Sequence, residues 1–354
     1  MTKKNWLAAL IAGAMMLSLA ACGGSGSTDS GSSTPADSGS TADTSAADTA
    51  GAGASDAETP YEISMVLKTN SSEFWQLVQA GAEAYEKENP DLVKLSIKGP
   101  PSESSYDEQL NMVQTDLTVE SFDGYLIAPL QSEAIATQIE ATDKPVIAFD
   151  TRIESDKVVS FVGTGNKEAA KQGAIAAVEA AKAAGWTDIK CIEIAGVQGD
   201  ATNTARMDGF REGINESGGE FLDAEVQYAN AVADQAVVCM EAIMSKYPDG
   251  VAIICTNNDD MAIAAARTAK DHPGYQNTIF LGFDGQISAC QAVVDGQLTM
   301  TAAQNNFDIG YKAVETMVRC LQGETVEEFV DTGTEIITAE NAQARIDRMS
   351  SYLN

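Results

Sequence analysis

Five places along the chain set a polar side chain directly behind a short apolar run. They are Lys68 behind residues 63–67, Asp150 behind 146–149, the segment 163–166 behind 158–162, the segment 257–259 behind 251–255, and Asp284 behind 279–283. Lysine donates, carboxylates accept, and asparagine does both, which is the set that a solute carrying several hydroxyls needs, because each hydroxyl donates and accepts. Charged partners make the stronger bonds, about 1.5–3 kcal/mol each. Phe74 and Trp75 follow the first of these places and offer aromatic faces to the C–H side of such a solute.

Catalytic sets are missing. His272 is the sole histidine and sits in the turn-like Asp271-His272-Pro273-Gly274, so a histidine triad is not expected. No H-x-x-x-H, C-x-x-C or calcium-loop pattern occurs, and neither a metal nor a cofactor is expected. Gly196-Val197-Gln198-Gly199 is half of a nucleotide fingerprint and lacks its third glycine. Carboxylates are plentiful, but nothing orders a general acid beside a nucleophile, so no enzyme activity is expected.

The elements that position the polar set are short β-branched runs alternating with alanine-rich helical stretches, the mark of βα units around a parallel sheet. Strands are predicted at 63–67, 93–97, 124–128, 146–149, 158–162, 189–194, 251–255 and 279–283. Ser72 is a predicted N-cap for a helix that buries Phe74, Leu77, Val78, Gly81, Ala84 and Tyr85. Further helices are predicted at 132–141, 167–184, 205–217, 234–246 and 260–270. Ligands of open α/β sheets bind beyond the carboxyl ends of the strands, where the polar set falls. Asp150, Asp284, Asn258 and Asp259 are equally of the type that caps a following helix, and Arg206 begins a helical face and reads more readily as structural.

The first 60 residues are of another kind. Lys3 and Lys4 precede an apolar run from Trp6 to Ala21, which reads as a secretory signal peptide and is short of a membrane span. It ends Leu19-Ala20-Ala21-Cys22-Gly23, which resembles the bacterial lipobox and marks Cys22 for lipidation. Two or three acyl chains give stable anchoring where one does not. From Gly23 to about Thr59 the chain is nearly all Gly, Ser, Thr, Ala and Asp, a tether with a reach of roughly 30–37 Å. The expected location is extracytoplasmic, anchored at the membrane face or periplasmic. The 354 residues carry 52 acidic and 22 basic side chains, a net charge of −30, with no basic patch, so nucleic acid is not an expected partner. Five cysteines remain after Cys22, an odd number that fits free thiols better than a disulfide framework.

Ile63-Ser64-Met65-Val66-Leu67-Lys68-Thr69 through Phe74-Trp75, Pro145-Val146-Ile147-Ala148-Phe149-Asp150, Asn257-Asn258-Asp259-Asp260-Met261-Ala262 and Gly282-Phe283-Asp284-Gly285 together resemble the ribose/galactose-type periplasmic binding proteins of ABC importers. The resemblance runs from about residue 61 to 340. It implies two doubly wound parallel-sheet lobes joined by a three-crossover hinge near 164–165, 304–305 and 332–334. Lobe 1 is then 61–164 plus 305–332, and lobe 2 is 165–304 plus 333–354, behind a signal peptide at 1–21 and a tether at 22–60. By position, the resemblance implies ligand contacts at Lys68, Phe74, Trp75, Asp150, Asn258 and Asp284, with Gln304 at the hinge. Thr151 and Arg152 follow the carboxylate, with Thr151 where ribose binders carry arginine. Thr204-Ala205-Arg206-Met207-Asp208-Gly209-Phe210 matches the family's Arg-x-Arg-Gly-x-Gly-Phe and leaves Thr204 at the ribose-binding arginine. The family's second-lobe aromatic ligand has no clear counterpart, because Tyr228–Asp234 offers mostly small or polar side chains. The implied function is capture of a small polyhydroxylated solute, a monosaccharide, by a monomer that delivers it to an ABC permease; the other reading is a sensor that presents it to a receptor or kinase.

Overall fold

The computed structural model describes residues 59–353 apart from Glu120. The signal peptide, Cys22 and the tether as far as residue 58 lie outside the described residues. In chain order the elements are β1 (Tyr61–Val66), α1 (Glu73–Glu88), β2 (Val93–Lys98), α2 (Tyr106–Leu117), β3 (Gly124–Ile127), α3 (Ser132–Ile139), β4 (Val146–Phe149), β5 (Val158–Gly163), α4 (Asn166–Ala183), β6 (Lys190–Ala195), α5 (Ala201–Glu216), β7 (Glu220–Phe221), β8 (Gln227–Tyr228), α6 (Ala233–Lys246), β9 (Ile253–Thr256), α7 (Asp259–Ala269), β10 (Ile279–Asp284), α8 (Ile287–Val294), β11 (Met300–Gln304), α9 (Asn306–Leu321), β12 (Phe329–Asp331), β13 (Thr334–Ile337) and α10 (Ala342–Tyr352).

Two sheets result. The first runs β12-β5-β4-β3-β1-β2, parallel throughout. The second runs β13-β11-β10-β9-β6-β7 with β8 also on β6, parallel except where β13 meets β11. Strands β3, β4, β9 and β10 are buried at every residue, as continuous apolar strands must be when helices cover both faces. On one face of the first sheet Met65, Leu126 and Phe149 pack with Trp75 of α1 and Ile309 of α9; on the other, Ile127 and Val146 pack with Val113 of α2 and Ile135 of α3. Cys191, Ile253 and Leu281 of the second sheet pack with Ala174 of α4 and Phe210 of α5, while Ile192 and Ile254 pack with Met240 of α6 and Met261 of α7. The chain passes between the sheets three times, after β5, after β11 and after β12.

Close helix crossings depend on missing side chains. A Cβ on Gly81 would sit 1.9 Å from the Phe307 carbonyl oxygen, and one on Gly310 would sit 1.8 Å from that of Val78, so α1 and α9 touch backbone to backbone. Helix α5 begins at Ala201, four residues before the predicted start, because the Asp200 side chain accepts from Asn203 N at 2.7 Å and caps it. Asn258 likewise caps α7, accepting from Met261 N at 3.0 Å. Ser72 stands at the N-cap of α1 without a side-chain bond to it. Strands β7, β8, β11, β12 and β13 and helices α2, α8, α9 and α10 are not among those predicted. β11 reads Met-Thr-Ala-Ala-Gln, too poor in β-branched residues to signal a strand, although all five are buried.

Candidate functional site

The carboxyl ends of the two sheets face one cavity of about 270 Å³, near the lower end of the roughly 300–1,000 Å³ range of small-molecule sites. Its wall from the first sheet comes from Lys68 after β1, Phe74 and Trp75 at the start of α1, Glu103 after β2, and Asp150 after β4. The second sheet supplies Asp200 after β6, Asn203 and Arg206 from α5, Asn257, Asn258 and Asp260 after β9, and Asp284 at the end of β10. Each strand end brings a buried backbone to a sudden stop, and the residue that follows is delivered to the rim.

Lys68 bridges the two walls: its Nζ donates to Asp200 Oδ2 at 2.8 Å and lies 3.8 Å from Asp150 Oδ2. Burial acts to lower the ammonium's affinity for its proton, but Asp200 and Asp150 outweigh it and hold the pKa above the usual lysine value. Arg206 donates from Nε to Asn166 Oδ1 at 2.8 Å and from Nη1 to the Asn257 carbonyl at 2.7 Å. Nη1 also lies 3.3 Å from Asp284 Oδ1, and the guanidinium covers the Phe283 ring at 3.9 Å. Burial pushes the Asp284 carboxyl up to about 7, against the pull of Arg206 and of the Gln304 amide at 2.8 Å, and Asp150 and Glu103 add repulsion. Glu103 accepts from Trp75 Nε1 at 3.0 Å; burial raises its pKa and that of Asp260. Both cations of the wall are held by carboxylates, so what remains turned to the cavity is chiefly acceptor. Phe74 and Trp75 meet edge to face at 4.9 Å and give that wall its apolar surface.

Of the residues expected at the site, Lys68, Phe74, Trp75, Asp150, Arg206, Asn258 and Asp284 line this cavity. Four do not. Thr151 lies buried beneath it, donating to Asp150 Oδ2 at 2.8 Å and meeting the Thr202 hydroxyl at 2.6 Å. Arg152 turns away over the Phe161 and Phe329 rings at 4.3 and 5.0 Å and lines a neighbouring cavity. Gln304 is buried behind Asp284 and acts on it rather than on the cavity. Thr204 is exposed one helical step outside, donating to the Asp200 carbonyl at 2.9 Å. On that segment Arg206, the second arginine of the motif, lines the cavity, and Thr204 does not. Asp150 and Asp284 cap no helix, since β5 follows Asp150 without an intervening helix and Gln286 is the N-cap residue of α8. Asn258 both caps α7 and lines the cavity.

Sequence reasoning missed Glu103, Asp200, Asn203 and Asp260, and reached Asn257 only as part of the polar segment behind 251–255. Glu103 and Asp200 lie several residues beyond the ends of β2 and β6, out of reach of the rule that found Lys68 and Asp150 directly behind their strands. The second sheet's side of the cavity is also lined by the small and apolar Ala231, Val232 and Ala233 and has no aromatic among the described lining residues. Cys191 and Cys255 are buried free thiols on adjacent strands, their sulfurs 3.4 Å apart.

Comparison with known proteins agrees with this arrangement. Residues 63–325 match the periplasmic binding protein domain. The ribose import binding protein of Escherichia coli strain K12 is 31% identical over 269 residues, 75% of this chain and 86% of that protein. The D-allose-binding periplasmic protein of the same strain is 29% identical over 267 residues, 73% of this chain and 83% of that protein. An ABC transporter solute-binding protein from Agrobacterium vitis, solved with bound D-fucose, superposes with a TM-score of 0.71 at 28% identity, over 79% of this chain and 96% of that one. A carbohydrate transporter solute-binding protein from Agrobacterium radiobacter, in complex with D-arabinose, shares the fold with a TM-score of 0.75 at 22% identity, over 82% of this chain and 98% of that one. The chain belongs to the periplasmic binding proteins of type I fold, in the ribose/galactose-type branch, a family of transport-system solute binders and not of enzymes.

Proposed function

We propose that this protein captures a monosaccharide in the cavity between its two sheets and delivers it to an ABC importer. The observation that carries the reading is the pairing of an acceptor-rich wall with the Phe74–Trp75 surface in a space of about 270 Å³. Hydroxyls donate into Asp150, Asp284 and Glu103, Asn258 serves as donor or acceptor, and the ring's C–H face lies on the aromatics. The sugars named for the relatives, ribose, allose and fucose, support the class of solute.

The sheets are the cores of two lobes, 61–164 with 305–332 and 165–304 with 333–354, which close on the sugar as a hinge. Contacts across the cleft support such closure: Lys68 with Asp200, Thr151 with Thr202, and the Glu73 carboxylate on the backbone N–H groups of Ile287 and Ser288. The protein acts as a monomer, tethered outside the cytoplasm by a lipid on Cys22. A thermal-shift screen of D-ribose, D-allose, D-fucose, D-arabinose, polyols and nucleosides tests the class. A ligand at a hundred times its Kd stabilises the folded state by about 2.7 kcal/mol, enough for a rise of several degrees. Asp150→Asn and Asp284→Asn each lower the affinity of the best sugar about tenfold or more in calorimetry. A panel in which no sugar raises the melting temperature, or unchanged affinity in both variants, overturns the reading.

A further inference from the structure

Arg345 of α10 is among the largest fully buried side chains of the protein, 1% exposed, and it lies beyond the span 63–325 that matches the family. Its Nε donates to the Gly285 carbonyl at 2.7 Å, and its Nη2 to the Gln304 carbonyl at 2.5 Å and to Asn306 Oδ1 at 3.0 Å. All three acceptors are neutral, and Nη1 has no hydrogen-bond partner among the described residues. A buried cation whose hydrogen bonds all go to neutral oxygens is a costly way to stabilise a fold, because no ion pair offsets its desolvation and the attraction of Glu335 and Asp259 is outweighed by it. Its placement therefore calls for another explanation.

The three acceptors come from two segments. Gly285 belongs to the turn that presents Asp284, and both residues hold positive φ, 69° and 121°. Gln304 and Asn306 flank the passage from β11 to α9, where the chain leaves the second sheet for the first. The same two segments are tied to each other: the Gln304 amide donates to Asp284 Oδ1 at 2.8 Å, and the Asn306 amide to the Asp284 carbonyl at 3.4 Å. The fit around the guanidinium is close, since a Cβ on Gly285 would lie 2.8 Å from Arg345 Nε. A planar fork reaches three oxygens on two segments at once, and the single nitrogen of a lysine ammonium does not.

We propose that Arg345 is a positioning residue that pins the β11–α9 crossing to the Asp284 turn, so that movement of one sheet against the other leaves the Asp284 carboxylate in place. The role of Asp284 as a sugar contact rests on the function proposed above, but the pin itself is testable without any ligand. Hydrogen exchange is followed in the unliganded full-length protein and in Arg345→Met and Arg345→Lys. Loss of the fork speeds exchange about tenfold or more in residues 282–290 and 303–309, with residues 61–98 and 124–149 of the first sheet unchanged. Arg345→Lys, which keeps the charge, shows the same pattern in smaller degree and decides the matter if Arg345→Met fails to fold. Unchanged exchange in the two segments, or an equal rise across both sheets, overturns the proposal, and either result leaves sugar binding to be judged separately.

Discussion

Glu193 offers a sharp test of how the cavity wall is supported. It lies in the middle of β6, fully buried, with Oε1 accepting from the Asn257 amide at 3.3 Å and Oε2 without a partner. Asn257 lines the cavity and also donates to the Asn203 carbonyl at 3.3 Å, so the acid stands directly behind the wall. Burial pushes its carboxyl from 4.5 up to about 8, with the Asn257 bond working in the opposite direction. In this window the folded chain keeps a proton that the unfolded chain has released. Stability from this group is therefore complete below pH 4.5 and declines as pH rises toward 8, by about 1.4 kcal/mol per pH unit and on the order of 5 kcal/mol in all.

Glu193→Gln removes that slope. The amide oxygen can still accept from Asn257, while its NH₂ has two protons to place where the neutral acid has one and Oε2 has no partner among the described residues, which costs about 1–3 kcal/mol at every pH. The variant is thus the less stable protein at pH 5 and equals or exceeds the wild type at pH 8. Urea denaturation at half-unit steps from pH 4.5 to 8.5 reads both curves, and an unchanged m-value shows that the same surface is being exposed. Asp259 and Asp284, also raised by burial, slope in the same direction but are common to both proteins, so the difference curve belongs to Glu193. A difference curve that is flat with pH would refute the argument, because Glu193 would then be charged in the folded protein.

Two further outcomes follow from particular contacts. Thr204→Ala leaves the affinity for the best sugar of the screen within about twofold, whereas Arg206→Lys, which loses the fork held by Asn166, Asn257 and Asp284, lowers it about tenfold or more in calorimetry; a larger loss in the threonine variant would return the ligand position to Thr204. Gly310→Ala, favourable by helix propensity alone at about 1 kcal/mol, instead destabilises by about 1–3 kcal/mol or more in urea, since its Cβ meets the Val78 carbonyl at 1.8 Å. A gain in stability would mean that α1 and α9 do not touch there.

The βα alternation was legible because both sheets are buried on both faces, which turns strands into unbroken apolar runs. The same physics hid β11, whose central Ala302 and Ala303 pack against α4 and α8 and whose Gln304 has its side chain taken up by Asp284. Tertiary burial makes it a strand; nothing local does. Lys68, Asp150 and Asp284 were found because each follows such a run at once. Glu103 and Asp200 were not, because each lies several residues beyond its strand, where no pattern fixes which side chain turns inward. Thr204 and Arg206 separate for a different reason: two positions on one helix point about 200° apart, so with Arg206 turned to the cavity Thr204 is left on the exposed face. Arg345 carried no sequence signal, as an arginine in a polar terminal helix is ordinarily exposed.

The backbone itself separates Asp150 and Asp284 from the other carboxylates of the cavity. Asp150 at φ 60° and Asp284 at φ 121° occupy the region that favours glycine, and both are buried. A fold selected only for stability would place glycine or asparagine there, since an L-residue held in sparsely populated backbone space costs of order 1–3 kcal/mol. The strain is borne at equivalent places, the end of β4 in one sheet and of β10 in the other, and each is held by its neighbours: Thr151 beneath Asp150, Gln304 and Arg206 on Asp284. Two strained acids, one from each sheet and both directed into the same cavity, are better explained by a solute that must be gripped from both sides than by anything the fold requires.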